Sequence, residues 1–260
     1  MGAIKFLILA FMLLVSGCGP KQEAALVEEA GSPEVKPAAV VKQAVDPATA
    51  GGVKGKVTFS GEAPPPQKIS VQGNPECAAF HADGSIASEE LLVKGGLVQN
   101  AFVYIKEGLE GSSFEPPKEA ATIDNKQCIY VPHVTGVQVN QPVILLNSDP
   151  TLHNVHSYSK NSKAWNVGLP IQGMKQTKKF EAAEIMVALK CDVHPWMKGY
   201  IGVLPHPYFS VTGESGEFEI KNLPAGEYTI EVWHEKLGAQ SQKVKIEPQA
   251  EQTIEFIFPR

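Results

Sequence analysis

The sequence predicts an all-β protein behind a disordered N-terminal tether, and three observations predict the β class. Runs such as Val53-Lys54-Gly55-Lys56-Val57-Thr58-Phe59-Ser60 alternate apolar and polar residues with the period of two that a half-buried strand requires. Turn-forming residues, 20 prolines and 23 glycines, interrupt these runs. Neither Pro205 to Val211 nor the C-terminal third carries a helical period. With 260 residues, 43% of them apolar, the chain can bury one large core or two small ones.

The first residues stand outside the fold. Lys5 precedes the apolar run Phe6 to Val15, which is too short to span a bilayer and reads as a signal peptide over 1–17. Val15-Ser16-Gly17-Cys18 resembles a bacterial lipobox, so cleavage ahead of a lipidated Cys18 is expected, with ordinary cleavage and a free thiol as the alternative. Acyl chains on Cys18 would hold the protein on a membrane, each buried methylene adding about 0.8 kcal/mol. Gly19 after the cysteine, by resemblance to sorted lipoproteins, favours the outer membrane facing the periplasm. The net charge of −5 becomes more negative once Lys5 is removed, which argues against nucleic acid and against a polybasic membrane contact.

Residues 18–52 are rich in Ala, Glu, Lys, Val and Pro without a hydrophobic period and read as a flexible tether with a reach of roughly 30 Å. Order begins with the strand at Val53. The run Leu97 to Ile105 reads as one further strand, and Asn74 to Glu90 between the two as an irregular stretch carrying Cys77 and His81. Near the C-terminus, Gly216-Glu217-Phe218-Glu219-Ile220, a Pro224-Ala225-Gly226 turn and Tyr228-Thr229-Ile230-Glu231-Val232-Trp233 read as strand, turn, strand. Runs at Gln242 to Glu247 and Thr253 to Phe258 complete that sheet. This pattern resembles the carboxypeptidase regulatory-like modules, small transthyretin-like β-sandwiches of exported proteins. The resemblance implies a discontinuous sandwich over 53–115 and 206–260, with 116–205 inserted between its halves.

The inserted segment carries the chemistry. Cys191-Asp192-Val193-His194-Pro195-Trp196-Met197 spaces a thiol, an imidazole and a thioether three residues apart, and His153-Asn154 supplies a second imidazole upstream. Two imidazoles, one thiolate and a weak thioether are the ligands of a trigonal copper site built for electron transfer. A lone Cys-x-x-His could equally be half a zinc site, and zinc is the alternative occupant. With Cys18 given to lipid and Cys191 to metal, Cys77 and Cys128 remain to pair as a disulfide in an oxidising compartment.

The ligand loop followed by Lys198-Gly199, together with His153-Asn154, resembles the cupredoxins, the plastocyanin- and amicyanin-like blue-copper domains. The resemblance implies a Greek-key sandwich, one type 1 copper held by His153, Cys191, His194 and Met197, and an outer-sphere role for Asn154, which would brace the cysteine loop. An aromatic residue often precedes the cysteine in that family, and Lys190 stands there instead. His133, His156, His206 and His234 are not expected to ligate. Seven lysines against three acids between Thr151 and Tyr200 suggest steering of an acidic partner, with Pro195, Trp196 and Lys198 as contacts around an exposed edge of His194.

The expected function is a membrane-tethered carrier of single electrons between extracytoplasmic redox partners such as a c-type cytochrome or an envelope oxidoreductase. A copper buffer, sensor or delivery protein, and a cell-envelope adhesion or assembly module, are the alternatives. The sequence holds no His-x-His pair of the kind an oxygen-reducing copper oxidase needs and no peptidase signature, so no enzyme is expected.

Overall fold

The computed structural model describes residues 41–42 and 48–260. The expected signal peptide, Cys18 with its expected lipid, and most of the stretch read as a tether lie outside the described residues. Among those residues the chain is all-β apart from one short helix, and no helix is long and apolar enough to cross a membrane.

Two pairs of sheets carry the fold. In the first pair, one sheet runs in the order Ile129–Val131, Ala121–Lys126, Val143–Asn147, Lys175–Lys178. Its partner sheet runs Val134–Gln138, Lys198–Leu204, Glu184–Lys190, His153–Ser157, Asn166–Leu169. Inward residues of both, among them Ile123, Leu145, Val155, Leu189 and Ile201, meet in one buried core that also holds Cys191 and Met197.

The second pair takes its strands from both sides of the first in the chain. One sheet holds Phe209–Val211, Phe102–Glu107, Gly226–His234 and Gly238–Ile246. The other centres on Gly51–Phe59, flanked by Glu217–Leu223, by the short Leu97–Val98 and, in parallel, by Glu251–Phe258. In Gly226–His234 buried and half-buried positions alternate strictly after the first turn residues, as the sequence pattern demands. Val57, Ile105, Ile230 and Phe256 belong to its core.

The run Leu97 to Ile105 is two strands, not one. Asn100 takes φ of 63°, a left-handed conformation that asparagine tolerates better than most residues, and turns the chain from one sheet to the facing one. Thr212 secures the turn: its carbonyl accepts from the Asn100 N–H and its hydroxyl oxygen from the Ala101 N–H.

The stretch expected to be irregular also differs. Lys68–Ser70 pairs with Ser85–Ala87, and a single helical turn, Pro75–Ala78, lies between them. Although this stretch falls within 53–115, Val71, Cys77 and Ile86 pack into the core of the first sheet pair rather than the second. A Cys77–Cys128 disulfide fastens it there. Closing a loop of 51 residues stabilises the fold by about 4 kcal/mol in the chain-entropy picture.

A third buried cluster joins the two sandwiches, with Phe102 and Tyr104 from one meeting Val134, Met186 and Leu204 from the other. Phe102 is fully buried, and its ring lies where Gly202 and Gly136 leave room: a Cβ on Gly202 would stand 2.4 Å from it. The first sandwich is thereby seated on the second.

Candidate metal centre

Strand order brings the ligand types together. His153–Ser157 pairs with Glu184–Lys190, with Ser157 opposite Leu189, so the start of the first strand and the residue after the second meet at one end of the sheet. The loop Cys191 to Met197 then turns back into Lys198–Leu204. Two backbone hydrogen bonds close it, Cys191 N–H to Met197 O at 3.1 Å and Met197 N–H to His194 O at 2.9 Å.

His153, Cys191, His194 and Met197 are all buried, none more than 3% exposed. The donor atoms of His153, Cys191 and His194 lie within 4.8 Å of one another. The two Nδ1 atoms face each other at 3.0 Å, and Cys191 Sγ stands 3.7 Å from His194 Nδ1. Burial alone would push the Cys191 thiol up, but contacts from His153 and His194 and from the backbone at Asn154 and His194 outweigh it and bring the thiol down to about 6. The sulfur is thus ready as a thiolate near neutral pH, which is the form that binds metal.

Asn154 braces the cysteine loop. Its side-chain oxygen accepts from the Asp192 N–H at 2.7 Å and lies 3.3 Å from Cys191 Sγ. The Tyr130 hydroxyl, donating to Asn154 O at 2.6 Å, holds that residue in turn.

Asp149 is the functional residue that sequence reasoning missed. It is 2% exposed and its carboxylate accepts from the Gln127 and Cys128 N–H groups at 2.7 and 2.9 Å. Its other contact is His153 Nε2 at 2.9 Å. A carboxylate on one ring nitrogen fixes the tautomer and presents the other nitrogen, Nδ1, to the cluster. Burial opposes the charged forms of both groups, yet the pairing prevails: the carboxyl of Asp149 is lowered and the imidazole of His153 raised. Asn147 shapes this corner by accepting from the Asp149 N–H and donating to Thr151 O and Leu169 O.

The residues expected to meet a partner are placed as follows. Lys198 is not free: its ammonium pairs with Glu90 and, at 2.8 Å, with Glu235. His194 does not present an exposed edge either: the residue is 3% exposed, with Trp196 at 5.2 Å and the disulfide sulfurs within 4.8 Å of a ring nitrogen. Trp196 is half-buried and donates Nε1–H to Cys128 O at 3.0 Å, so only Pro195 of the three is an open surface residue. The apolar surface beside the centre comes from Leu152 and Val193, next to His153 and His194 in the chain. His156 does not join the cluster; it bonds Asp192 and stacks on Tyr158. His133, His206 and His234 are buried elsewhere.

No protein-family model matches the chain, and no curated protein does. Solved structures are similar to part of it. A purple cupredoxin from Nitrosopumilus maritimus is 26% identical over 32% of this chain and 98% of its own, with a TM-score of 0.28. A methionine-to-alanine mutant of amicyanin in the Cu(I) form is 19% identical over 39% of this chain and 97% of its own, TM-score 0.30. A copper-containing nitrite reductase from Thermus scotoductus is 18% identical over 45% of this chain but only 25% of its own length, TM-score 0.31. Over part of its length, then, the chain is similar to cupredoxins. The chain itself buries His153, Cys191 and His194 as one cluster, with Met197 buried in the same loop as Cys191 and His194.

Proposed function

We propose that the protein carries single electrons between extracytoplasmic redox partners through one type 1 copper ion, and that lipid on Cys18 tethers it to the membrane. The observation that carries this reading is the donor set: two imidazoles and one thiol whose ligating atoms lie within 4.8 Å in a buried pocket, with a buried thioether closing the same loop. Copper bound there would supply a Cu(I)/Cu(II) couple. The chain's contribution is rigidity. Asp149 fixes His153, Asn154 fixes the Cys191 loop, and both are themselves held by hydrogen bonds.

Burial of the ligands favours a carrier over a protein that hands copper on, because delivery needs a ligand that an acceptor can reach. The partner is a redox protein such as a c-type cytochrome or an envelope oxidoreductase, steered by the exposed lysines Lys160, Lys163, Lys175 and Lys190. Voltammetry of the copper-loaded protein with a copper chelator present tests the choice. A carrier gives a reversible one-electron wave that survives repeated cycling, and loss of copper to the chelator within the first cycles would refute the carrier reading.

A further inference from the structure

A cavity of about 150 Å³ lies beside the metal loop, lined in part by Glu89, Glu90, His133, Trp196, Met197 and Lys198. His133 is 5% exposed, and its two nitrogens have different surroundings. Nε2 contacts the buried carboxylate of Glu235. Nδ1 is buried and has no hydrogen-bond partner; the nearest carboxylate oxygen, Glu89 Oε2, is 3.6 Å away.

That separation is informative. A charge-assisted N–H···O bond closes to about 2.7–2.9 Å, so 3.6 Å is too long for a proton shared between the two groups. Two ligands on a tetrahedral ion, each at about 2.0–2.1 Å, stand about 3.3 Å apart, which is nearer to the observed gap. The charges agree. Glu90 pairs with Lys198 and Lys236, and Glu235 with Lys198, whereas among the described residues no lysine pairs with Glu89. Burial holds the Glu89 carboxyl above its usual range, against the opposing pull of His133.

We propose that His133 and Glu89 form a second divalent-cation site, separate from the Cys191 cluster, that takes zinc or copper through one nitrogen and one carboxylate, with water in the cavity completing the coordination. Imidazole with carboxylate suits these ions, and the cavity has room for several waters. Glu235 is a positioning residue: by holding the Nε2–H it leaves the Nδ1 lone pair to the ion, the carboxylate–histidine–metal arrangement in which the outer carboxylate strengthens the ligand. The site needs nothing from the Cys191 centre.

Zinc binding by the full-length chain, counted by equilibrium dialysis with elemental analysis, tests the proposal. The comparison is between wild type and the variants Glu89→Gln and His133→Gln, so the result does not depend on what occupies the Cys191 cluster. Each variant is expected to bind one zinc ion fewer per chain, with an unchanged circular dichroism spectrum as the check on folding. Glu235→Gln is expected to keep the site but weaken it about tenfold, within the range for outer-sphere partners. Because the Glu89 side chain is 26% exposed, its variant remains decisive even where His133→Gln fails to fold. Equal zinc stoichiometry in wild type and Glu89→Gln would overturn the proposal.

Discussion

At the scale of single residues, Asp149 decides which nitrogen His153 offers. Its carboxylate is buried with two backbone N–H donors, so it stays ionised and keeps His153 Nε2 occupied. Asp149→Asn is expected to weaken metal binding about 10- to 100-fold, the range measured for outer-sphere partners of histidine ligands; competition with a chelator would measure it, and unchanged affinity would remove Asp149 from the site. The candidate ligands were legible in the sequence because each residue type is a chemical requirement and three of them recur at a spacing of three. Asp149 was not, since an aspartate four positions before a histidine is common and its role depends on the turn that Asn147 builds. The ion pairs of Lys198 were hidden for a related reason. Its neighbours in sequence say nothing of Glu90 and Glu235, which the fold brings from either side of it.

Among the elements, strands were the more readable part. Alternation marked Gly51–Phe59 and Gly226–His234, because each faces a core on one side and a wetter surface on the other. The break at Asn100 was hidden: apolar residues continue across it, and only the left-handed φ shows that the chain changes sheets. The packing of Lys68 to Ala87 against the core that holds Cys191 and Met197 was equally unreadable, since the disulfide that fastens it is a contact between distant positions. The contact between sandwiches rests on glycines whose purpose appears only in three dimensions. Gly202→Ala would drive a methyl into the Phe102 ring, which is fully buried and has nowhere to move, at a cost of about 1–3 kcal/mol. Chemical denaturation should record that loss, and pairing the change with Phe102→Leu should recover part of it. Additive losses in the double variant would mean that the two residues do not meet.

For the whole molecule, acid is the natural stress. Burial lowers the imidazoles of His206 and His234 from 6.5 to about 4, so both are neutral in the folded protein while the unfolded chain takes up protons near pH 6.5. Their contribution is complete above pH 6.5 and is lost as pH falls from 6.5 through 4, on the order of 3 kcal/mol each at most. Glu235 acts lower: burial opposes its charge, but His133 and Lys198 bring it from 4.5 to about 2, so its contribution is lost only below pH 4.5. Thermal unfolding followed from pH 8 to 4.5 should show Tm dropping steadily below 6.5, and a flat profile from 7 to 5 would contradict this account. These histidines and Glu235 set how the scaffold around the Cys191 cluster responds to acid, and the claim about that cluster has a direct test. Metal-free protein titrated with Cu(II) is expected to develop an intense visible thiolate-to-copper band at one equivalent, absent in Cys191→Ser. A colourless protein that retains only zinc, or a band that persists in Cys191→Ser, would contradict the blue-copper reading.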